Sequence, residues 1–195
     1  NISKEESMTA FTTEKIDVEP WFDMELFMGV SQETRLGGDV MDRFMMLWKN
    51  WLPHLTVKGI DTGKIKYLLV ALDESVEQDV DKAWEGSPSN AFLYNALAQT
   101  MCMAAVHAVI PEVQDAGCAP APKPTATLRE ALEAEGIPYS NDKDPILSRR
   151  YAVVTHYPFK GGCEICVLQS NCPKGQGQME ATSVVLPGYE HPQQM

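Results

Sequence analysis

Three of the five cysteines lie within ten residues of one another near the C-terminal end of the chain, at Cys163, Cys166 and Cys172. Their spacing is Cys-x2-Cys-x5-Cys. Two thiols separated by two residues can bind one ion, and a third can reach the same point if the intervening chain turns. Thiolate is the donor that zinc and iron–sulfur clusters prefer. The spacing therefore predicts a metal or iron–sulfur centre in this segment.

Both a tetrahedral zinc ion and a cubane cluster take four protein ligands, so the triplet needs a fourth. Cys118 is the first choice, because it follows a glycine and precedes a flexible Ala/Pro-rich stretch. His156 is the alternative fourth ligand, since a neutral imidazole just before the cysteines can complete either kind of site. An open position for water or substrate is the third possibility. We expect Cys102, which lies in an apolar run, to be a buried core side chain.

The residues around the ligands favour a 4Fe–4S cluster as the cofactor. Pro173 directly follows the last cysteine, as in ferredoxin-type sequences, and Ile165, Val167 and Leu168 would shield sulfide from water. Zinc is the alternative cofactor, because the two-residue spacing suits it equally well. Reduced or disulfide-paired cysteines without a metal are a further possibility.

The cysteine spacing resembles the cluster loops of several 4Fe–4S proteins. It looks like the loop of helix-hairpin-helix base-excision endonucleases, in which a fourth cysteine stands at the position of His156. It is also similar to the loop of certain CRISPR-associated and recombination exonucleases, whose remaining cysteine lies far upstream. A third resemblance is to the auxiliary-cluster motif of radical-SAM proteins, which expects a cysteine where Gln176 stands. Each resemblance covers about ten of the 195 residues, so it implies a type of loop and no whole family.

The formal net charge of −11 opposes binding to nucleic acid, because contact with phosphates requires a basic surface. Acidic residues are densest from Asp73 to Glu85, where we expect a solvated helix face that can also dock a basic protein partner. Basic residues make the region of the cysteines less acidic, which would stabilise an anionic thiolate centre. These residues are Lys143, Arg149, Arg150, Lys160 and Lys174, of which Arg149, Arg150 and Lys160 are expected to balance its charge.

Apolar periodicity predicts an all-α fold, a compact helical domain followed by the cysteine-bearing segment. The helix predicted over 89–110 is apolar almost all round and should form the centre of the core. The predicted helices span 21–37, 39–53, 61–71, 75–84, 89–110, 127–136 and 144–150. A strand is the alternative for 66–70 and for 151–156, where branched and apolar residues are dense.

Composition divides the chain into four parts: a polar, flexible N-terminal arm (1–18), a helical core domain (19–117), a Pro/Ala-rich connector (118–126) and a C-terminal segment with the cysteines (127–195). With 44% apolar residues, the chain can build a core without a metal as its main support. Polar residues interrupt the longest apolar run, so we expect no membrane span. An odd cysteine number and a start unlike a signal peptide favour the cytoplasm.

These observations lead to three functional hypotheses. The first is a cytoplasmic iron–sulfur protein that acts as an accessory or electron-transfer component. The second is a helical protein-binding or chaperone-like module, whose acidic helix or methionine-rich surface engages a protein partner while zinc fixes the C-terminal segment. The third is a metal-dependent enzyme, which would need a pocket beside the cysteines.

Overall fold

The computed structural model describes residues 10–141 and 145–176. Within these residues the fold is mixed α/β, so the prediction of an all-α protein is wrong. Helices pack on both faces of a four-stranded antiparallel sheet. The strands are β1 (Thr12–Lys15), β2 (Leu55–Asp61), β3 (Lys66–Leu72) and β4 (Ala152–His156). The helices are α1 (Met24–Ser31), α2 (Gly38–Trp51), α3 (Glu74–Gly86), α4 (Pro88–Val109), α5 (Pro111–Ala116) and α6 (Ala126–Ala134).

The sheet has the order β1-β2-β3-β4, and β3 contributes most to its buried interior. Tyr67 to Leu72 are all buried, because one set of alternate side chains faces each apolar core. A strand that is buried on both faces appears in the sequence as a continuous apolar run, which periodicity does not distinguish from a buried helix. The helix predicted over 61–71 is therefore wrong, and the strand alternative for 66–70 is correct.

The edge strand β1 lies in the part of the chain predicted to be a flexible arm. Thr12 to Lys15 pair with Lys58 to Asp61 of β2, and all four side chains of β1 are exposed. The arm prediction is thus wrong for residues 12–15, and residues 1–9 lie outside the described residues. An exposed, polar edge strand has no apolar alternation that would indicate it in the sequence. The sheet therefore takes its strands from the predicted arm, core domain and C-terminal segment.

Helix α4 is the central element on one face of the sheet, as its composition predicted. Met101, Cys102 and Ala105 are buried in the larger core together with Leu68 and Val70 of β3. Among the described residues, α4 is also the one helix that is long and apolar enough to cross a membrane, but 56% of its apolar window is buried inside the protein. This burial is what a core helix requires.

The opposite face of the sheet carries a smaller core beneath α6. Leu128, Ala131 and Leu132 of this helix pack on Leu69 and other residues of β3. The N-cap of α6 is Thr125, whose hydroxyl accepts a hydrogen bond from the Leu128 amide at 3.2 Å. The helix therefore begins slightly earlier than the predicted start at residue 127.

The helix predicted over 144–150 does not form. Residues 142–144 lie outside the described residues, and residues 145–150 contain only bends and an isolated bridge between Tyr139 and Leu147. The chain then enters β4, so the strand alternative for 151–156 is correct for residues 152–156. This strand leads directly to the cysteine loop, defined here as residues 161–176.

Candidate metal centre

The cysteine loop is built from two successive turns of 3-10 helix. The first spans Cys163–Ile165 and ends at Cys166, whose amide donates to the Cys163 carbonyl at 3.1 Å. The second spans Gln169–Asn171 and ends at Cys172, whose amide donates to the Gln169 carbonyl at 3.3 Å. The backbone therefore turns twice between the three thiols, as their spacing requires for a shared centre.

Glycines bound the loop at both ends. Gly161 has a φ of +55°, a left-handed conformation that other residues rarely adopt. At Gly175 the requirement is space, because a Cβ there would lie 2.8 Å from the carbonyl oxygen of Gln169. This close return of the chain holds the segment after Cys172 against the second turn.

Two hydrogen bonds join the connector to the loop, and a third joins the end of α5 to it. The Ala121 amide donates to the sulfur of Cys166 at 3.4 Å, and the Val167 amide donates to the Ala121 carbonyl at 3.0 Å. The Nζ of Lys174 donates to the Ala116 carbonyl at 2.8 Å. Since Cys118 lies between Ala116 and Ala121 in the sequence, these contacts hold its segment against the three loop cysteines.

Thr155 fastens the connector to the sheet. Its side chain is 1% exposed, and its hydroxyl donates to the Pro120 carbonyl at 2.9 Å. Pro120 is itself buried. The connector is therefore attached to both β4 and the cysteine loop, although its composition suggests a flexible stretch.

Cys118 is electrostatically coupled to all three loop cysteines. Burial raises the pKa of its thiol, the positive charge of Lys174 opposes this shift, and Cys163, Cys166 and Cys172 each raise the pKa further. All four residues are half-buried free thiols. The first-choice fourth ligand thus lies close enough to the triplet to share its electrostatic environment.

The four thiols are neighbours, but they do not enclose a single point. In the part of the chain that the structure describes, no group of three or more His, Cys, Asp or Glu side chains is arranged to hold a metal ion. Tetrahedral zinc has Zn–S distances of about 2.3 Å, which place its ligand sulfurs roughly 3.8 Å apart. A cubane cluster keeps its ligand sulfurs further apart, because its own iron and sulfide atoms lie between them.

His156 lies on the other side of the sheet from the connector. Successive side chains of a strand point to opposite faces, and its neighbour Thr155 points to the connector. The imidazole packs instead on Tyr67, with ring centroids 5.5 Å apart. Its Nδ1 is buried and has no hydrogen-bond partner among the described residues. Burial and then Lys160 lower the pKa of His156. The geometry therefore brings Cys118, and not His156, to the triplet.

Cys102 is separate from the centre, as predicted. It is 2% exposed, and its Sγ contacts the Tyr151 carbonyl at 3.6 Å. Burial raises the pKa of this thiol to about 12. Cys102 therefore behaves as a small apolar side chain of the core.

Two of the basic residues that were expected to balance the thiolate charge, Arg149 and Arg150, pair with carboxylates of α3 instead. Arg150 donates to both carboxylate oxygens of Asp81, at 2.7 and 3.3 Å, and its amide donates to Glu77 at 2.9 Å. Arg149 lies 3.9 Å from the same Glu77 carboxylate. The two arginines thus join β4 to the acidic helix α3, and they do not balance the charge of the thiols. This pairing also reduces the negative charge that α3 presents to a partner.

The apolar residues of the loop shield the thiols incompletely. Ile165 is 36% exposed and Val167 is 39% exposed, so part of each side chain faces solvent. The candidate centre is consequently close to the protein surface.

The sequence analysis did not identify the Ala121 amide as a donor to the Cys166 sulfur, because a backbone donor has no signature in residue type.

Two clefts lie away from the cysteines. The first has a volume of about 90 Å³ and is bordered by Trp21, Asp23, His107 and Gln114 among others. The second runs along α3 between Gln78 and Glu85. Neither cleft includes a cysteine, so neither favours the hypothesis of a metal-dependent enzyme with its substrate beside the loop.

Comparison with known proteins gives no relative from which function can be transferred. No protein-family model, no curated protein and no solved structure matches the chain. The functional assignment therefore depends on the residues and contacts described above.

Proposed function

We propose that the protein binds an iron–sulfur cluster of the 4Fe–4S type and acts as an accessory or electron-transfer component. Cys163, Cys166, Cys172 and Cys118 are the proposed ligands. The observation that supports this set is the attachment of the connector to the cysteine loop, which holds Cys118 beside the triplet. The reducing cytoplasm is the proposed compartment, because thiols stay available for ligation there.

The choice of a cluster over a single zinc ion depends on the residues beside the ligands, which are Pro173 and the apolar Ile165, Val167 and Leu168. A cubane accepts a wider ligand set than zinc, because the cluster itself fills the space between the thiolates.

The surroundings of the thiols are also suited to electron transfer. Backbone amides that donate to ligand sulfur help to set cluster potentials, and the Ala121 amide makes such a bond to Cys166. The half-buried cysteines and the exposed parts of Ile165 and Val167 put the centre near the surface. A partner protein could therefore exchange electrons with it over a short distance.

The test is the iron, zinc and acid-labile sulfide content of protein purified without oxygen, together with its visible spectrum. We expect about four irons and four sulfides per chain and a broad absorption band, as a 4Fe–4S cluster requires. The Cys166→Ser variant should lose both the cluster and the band, whereas Cys102→Ala should keep them. Full cluster content in Cys166→Ser would contradict the proposal.

A structural zinc in a protein-binding module is the second candidate, favoured by an exposed aromatic pair. Trp84 and Phe92 are 44% and 55% exposed, and their rings pack at 6.2 Å where α3 meets α4. Exposed aromatic residues are typical of protein interfaces. The acidic residues Glu74 and Glu85 are exposed on α3, which also carries Trp84, and a basic partner would complement their charge.

The binding candidate is tested with Trp84→Ser and Glu85→Lys, and not with charge reversal at Glu77 or Asp81. Those two carboxylates hold Arg150, so reversing them would disturb the fold as well as a partner. Loss of a captured basic partner in both variants, with one zinc per chain retained, would support this candidate. Iron and sulfide in the wild-type protein would count against its zinc site.

A further inference from the structure

We propose that Thr155 is a positioning residue of the thiolate centre and that it acts on the centre through a single peptide group. This inference rests on the proposed function, because it assumes that Cys166 is a ligand. The peptide group joins Pro120 to Ala121 in the connector. Its carbonyl accepts from the Thr155 hydroxyl at 2.9 Å, and its amide donates to the Cys166 sulfur at 3.4 Å.

The rigidity of this peptide group couples its two hydrogen bonds. A peptide bond is planar, so the carbonyl that binds Thr155 and the amide that points at Cys166 cannot rotate independently. The hydroxyl that fixes the direction of the carbonyl therefore also fixes the direction of the amide. A hydrogen bond accepted by the carbonyl also polarises the peptide group, which strengthens its amide as a donor. Thr155 thus orients and strengthens the contact to the ligand sulfur.

The surroundings make the peptide group dependent on this hydroxyl. Thr155 is 1% exposed and Pro120 is buried, so water does not readily replace their hydrogen bond. On the other side, the Ala121 carbonyl accepts from the Val167 amide of the cysteine loop at 3.0 Å. Without the hydroxyl, the buried Pro120 carbonyl would be left unpaired, and the connector would have to move to satisfy it. Such a movement would turn the Ala121 amide away from the sulfur.

Cobalt(II) titration of the metal-free full-length protein tests the inference, because thiolate-to-cobalt absorption reports both the affinity and the surroundings of the sulfurs. Thr155→Val keeps the shape of the side chain and removes the hydroxyl, whereas Thr155→Ser keeps the hydroxyl. Loss of a group that orients a metal ligand typically weakens binding by about 10- to 100-fold. We therefore expect about tenfold weaker binding for Thr155→Val and near wild-type binding for Thr155→Ser.

The position of the absorption band gives a readout that a general loss of stability would not change. A thiolate that accepts a weaker hydrogen bond is a better electron donor, because hydrogen bonds to sulfur tune the electronic properties of such centres. We therefore expect the band of Thr155→Val to move to longer wavelength. Weaker binding without this movement would indicate a merely structural effect and would overturn the inference.

Thr100→Val is the matched control. Thr100 is 0% exposed, and its hydroxyl donates to the Ala96 carbonyl within α4 at 2.8 Å. The substitution again replaces a buried hydroxyl by a methyl group, but the bond that it removes lies within one helix. We expect unchanged cobalt(II) affinity and band position. A loss as large as that of Thr155→Val would show that the peptide group is not the cause.

The result distinguishes this inference from the proposed centre. If wild-type protein gives no thiolate-to-cobalt absorption, the four-thiol centre is wrong, and the role of Thr155 fails with it. If wild-type protein binds cobalt(II) and Thr155→Val has the same affinity and band, only the inference about Thr155 is overturned. A serine variant as weak as the valine variant would also overturn it.

A nuclear magnetic resonance measurement on wild-type protein needs no variant. In protein loaded with cadmium-113, the Ala121 amide proton should show scalar coupling to the metal through the Cys166 sulfur. Bound cadmium without this coupling would overturn the inference, because the path from the peptide group to the centre would be missing. Thr155→Ala, with the fold checked by circular dichroism, provides a second variant without the hydroxyl, in which the coupling should decrease.

Discussion

At the scale of single residues, the five cysteines divide into one buried core residue and four that share the candidate centre. Cys102 is 2% exposed, and burial raises its pKa to about 12. The other four are half-buried and lie where connector and loop meet. Since an alkylating reagent must reach the thiolate, burial should separate Cys102 from the other four cysteines in solution.

Alkylation with iodoacetamide measures this separation directly. In folded, metal-free protein at neutral pH, we expect Cys163, Cys166, Cys172 and, more slowly, Cys118 to react, and Cys102 to stay unmodified. In denaturant all five should react. Mass spectrometry of peptides gives the modified fraction at each site. Rapid labelling of Cys102 in folded protein would mean that its burial is wrong.

The residue pattern predicts the candidate ligands, but it does not predict their surroundings. The triplet is visible because its spacing is local in the sequence, and Cys118 stands out by its neighbours. The Ala121 amide and the partner of Lys174 depend on contacts made 45 and 58 residues apart. Such contacts follow from the path of the connector over β4, which no local pattern specifies.

At the scale of elements, the turns and caps of the chain determine how well the site is held. The loop has two short 3-10 turns, and the chain after Cys172 packs closely on the second turn at Gly175. Any Cβ at this position would meet backbone atoms of Gln169, which do not move as easily as the end of a side chain. The loop should therefore be sensitive to this one residue.

Gly175→Ala should weaken metal binding, because the contact at 2.8 Å from the Gln169 carbonyl must be relieved by moving the loop. A shift of this kind typically costs about 1–3 kcal/mol, which corresponds to roughly tenfold weaker cobalt(II) binding or more. Gly86→Ala is the control, since nothing lies within 4 Å of a Cβ there. Equal cobalt(II) affinities in the two variants would show that the close approach does not hold the site.

Helix α3 offers a separate prediction, through its N-cap Asp73. The Asp73 carboxylate accepts from the Ser75 amide at 2.9 Å and contacts the Nδ1 of His54 at 2.6 Å. Burial opposes ionisation, but the hydrogen bonds from Ser75 and His54 outweigh it and hold the pKa of Asp73 below its usual 3.8. The ionised form therefore stabilises the fold at neutral pH, and this stabilisation disappears as the pH falls through the lowered pKa.

Asp73→Ala should lower the free energy of unfolding by about 1 kcal/mol at pH 7, the typical cost of losing an N-cap. The contribution of charge should be small, because the carboxylate is half-exposed and screened by solvent. Asp73→Asn keeps a capping acceptor, so it should lose only the small stabilisation that comes from the charge. Urea unfolding between pH 7 and about pH 2 measures both effects. The advantage of wild type over Asp73→Asn should begin to shrink near pH 3.8 and should disappear as the pH falls through the lowered pKa of Asp73. A pH-independent advantage would be inconsistent with the lowered pKa.

Element prediction succeeded where apolar periodicity was helical and failed where it was ambiguous. Helix α2 buries Phe44, Trp48 and Trp51 at four- and three-residue steps, which is the pattern that predicted it. The run in β3 has no such period, because the sheet buries both of its faces. Polar β1 has no apolar period at all. The error in fold class follows from these two strands.

At the scale of the whole molecule, the sheet joins three parts of the chain that the composition analysis treats as separate: the N-terminal arm, the core domain and the C-terminal segment. Its strands come from residues 12–15, 55–72 and 152–156, and two apolar cores cover its faces. Neither core includes a residue of the described cysteine loop, 161–176. The loop is thus attached to a body that is stabilised by its own core, through the connector and Thr155.

Removing the metal should therefore leave the body folded. A centre bound at a hundredfold excess over its dissociation constant adds about 2.7 kcal/mol. For a chain of this length, that corresponds to a Tm increase of roughly 5–10 °C. We expect the far-ultraviolet circular dichroism to be nearly unchanged after chelation and Tm to fall by that amount. Complete unfolding on chelation would show that the centre, and not the core, maintains the fold.

The central claim is that four cysteine thiolates share one centre, and X-ray absorption at the metal edge tests it most directly. For metal-free protein reloaded with a single cobalt(II) ion, we predict a first shell of four sulfurs and no nitrogen. For Cys118→Ser we predict the loss of one cysteine sulfur or of the metal altogether. A wild-type shell with three cysteine sulfurs and one imidazole nitrogen, unchanged in Cys118→Ser, would contradict the account and indicate His156 as the fourth ligand.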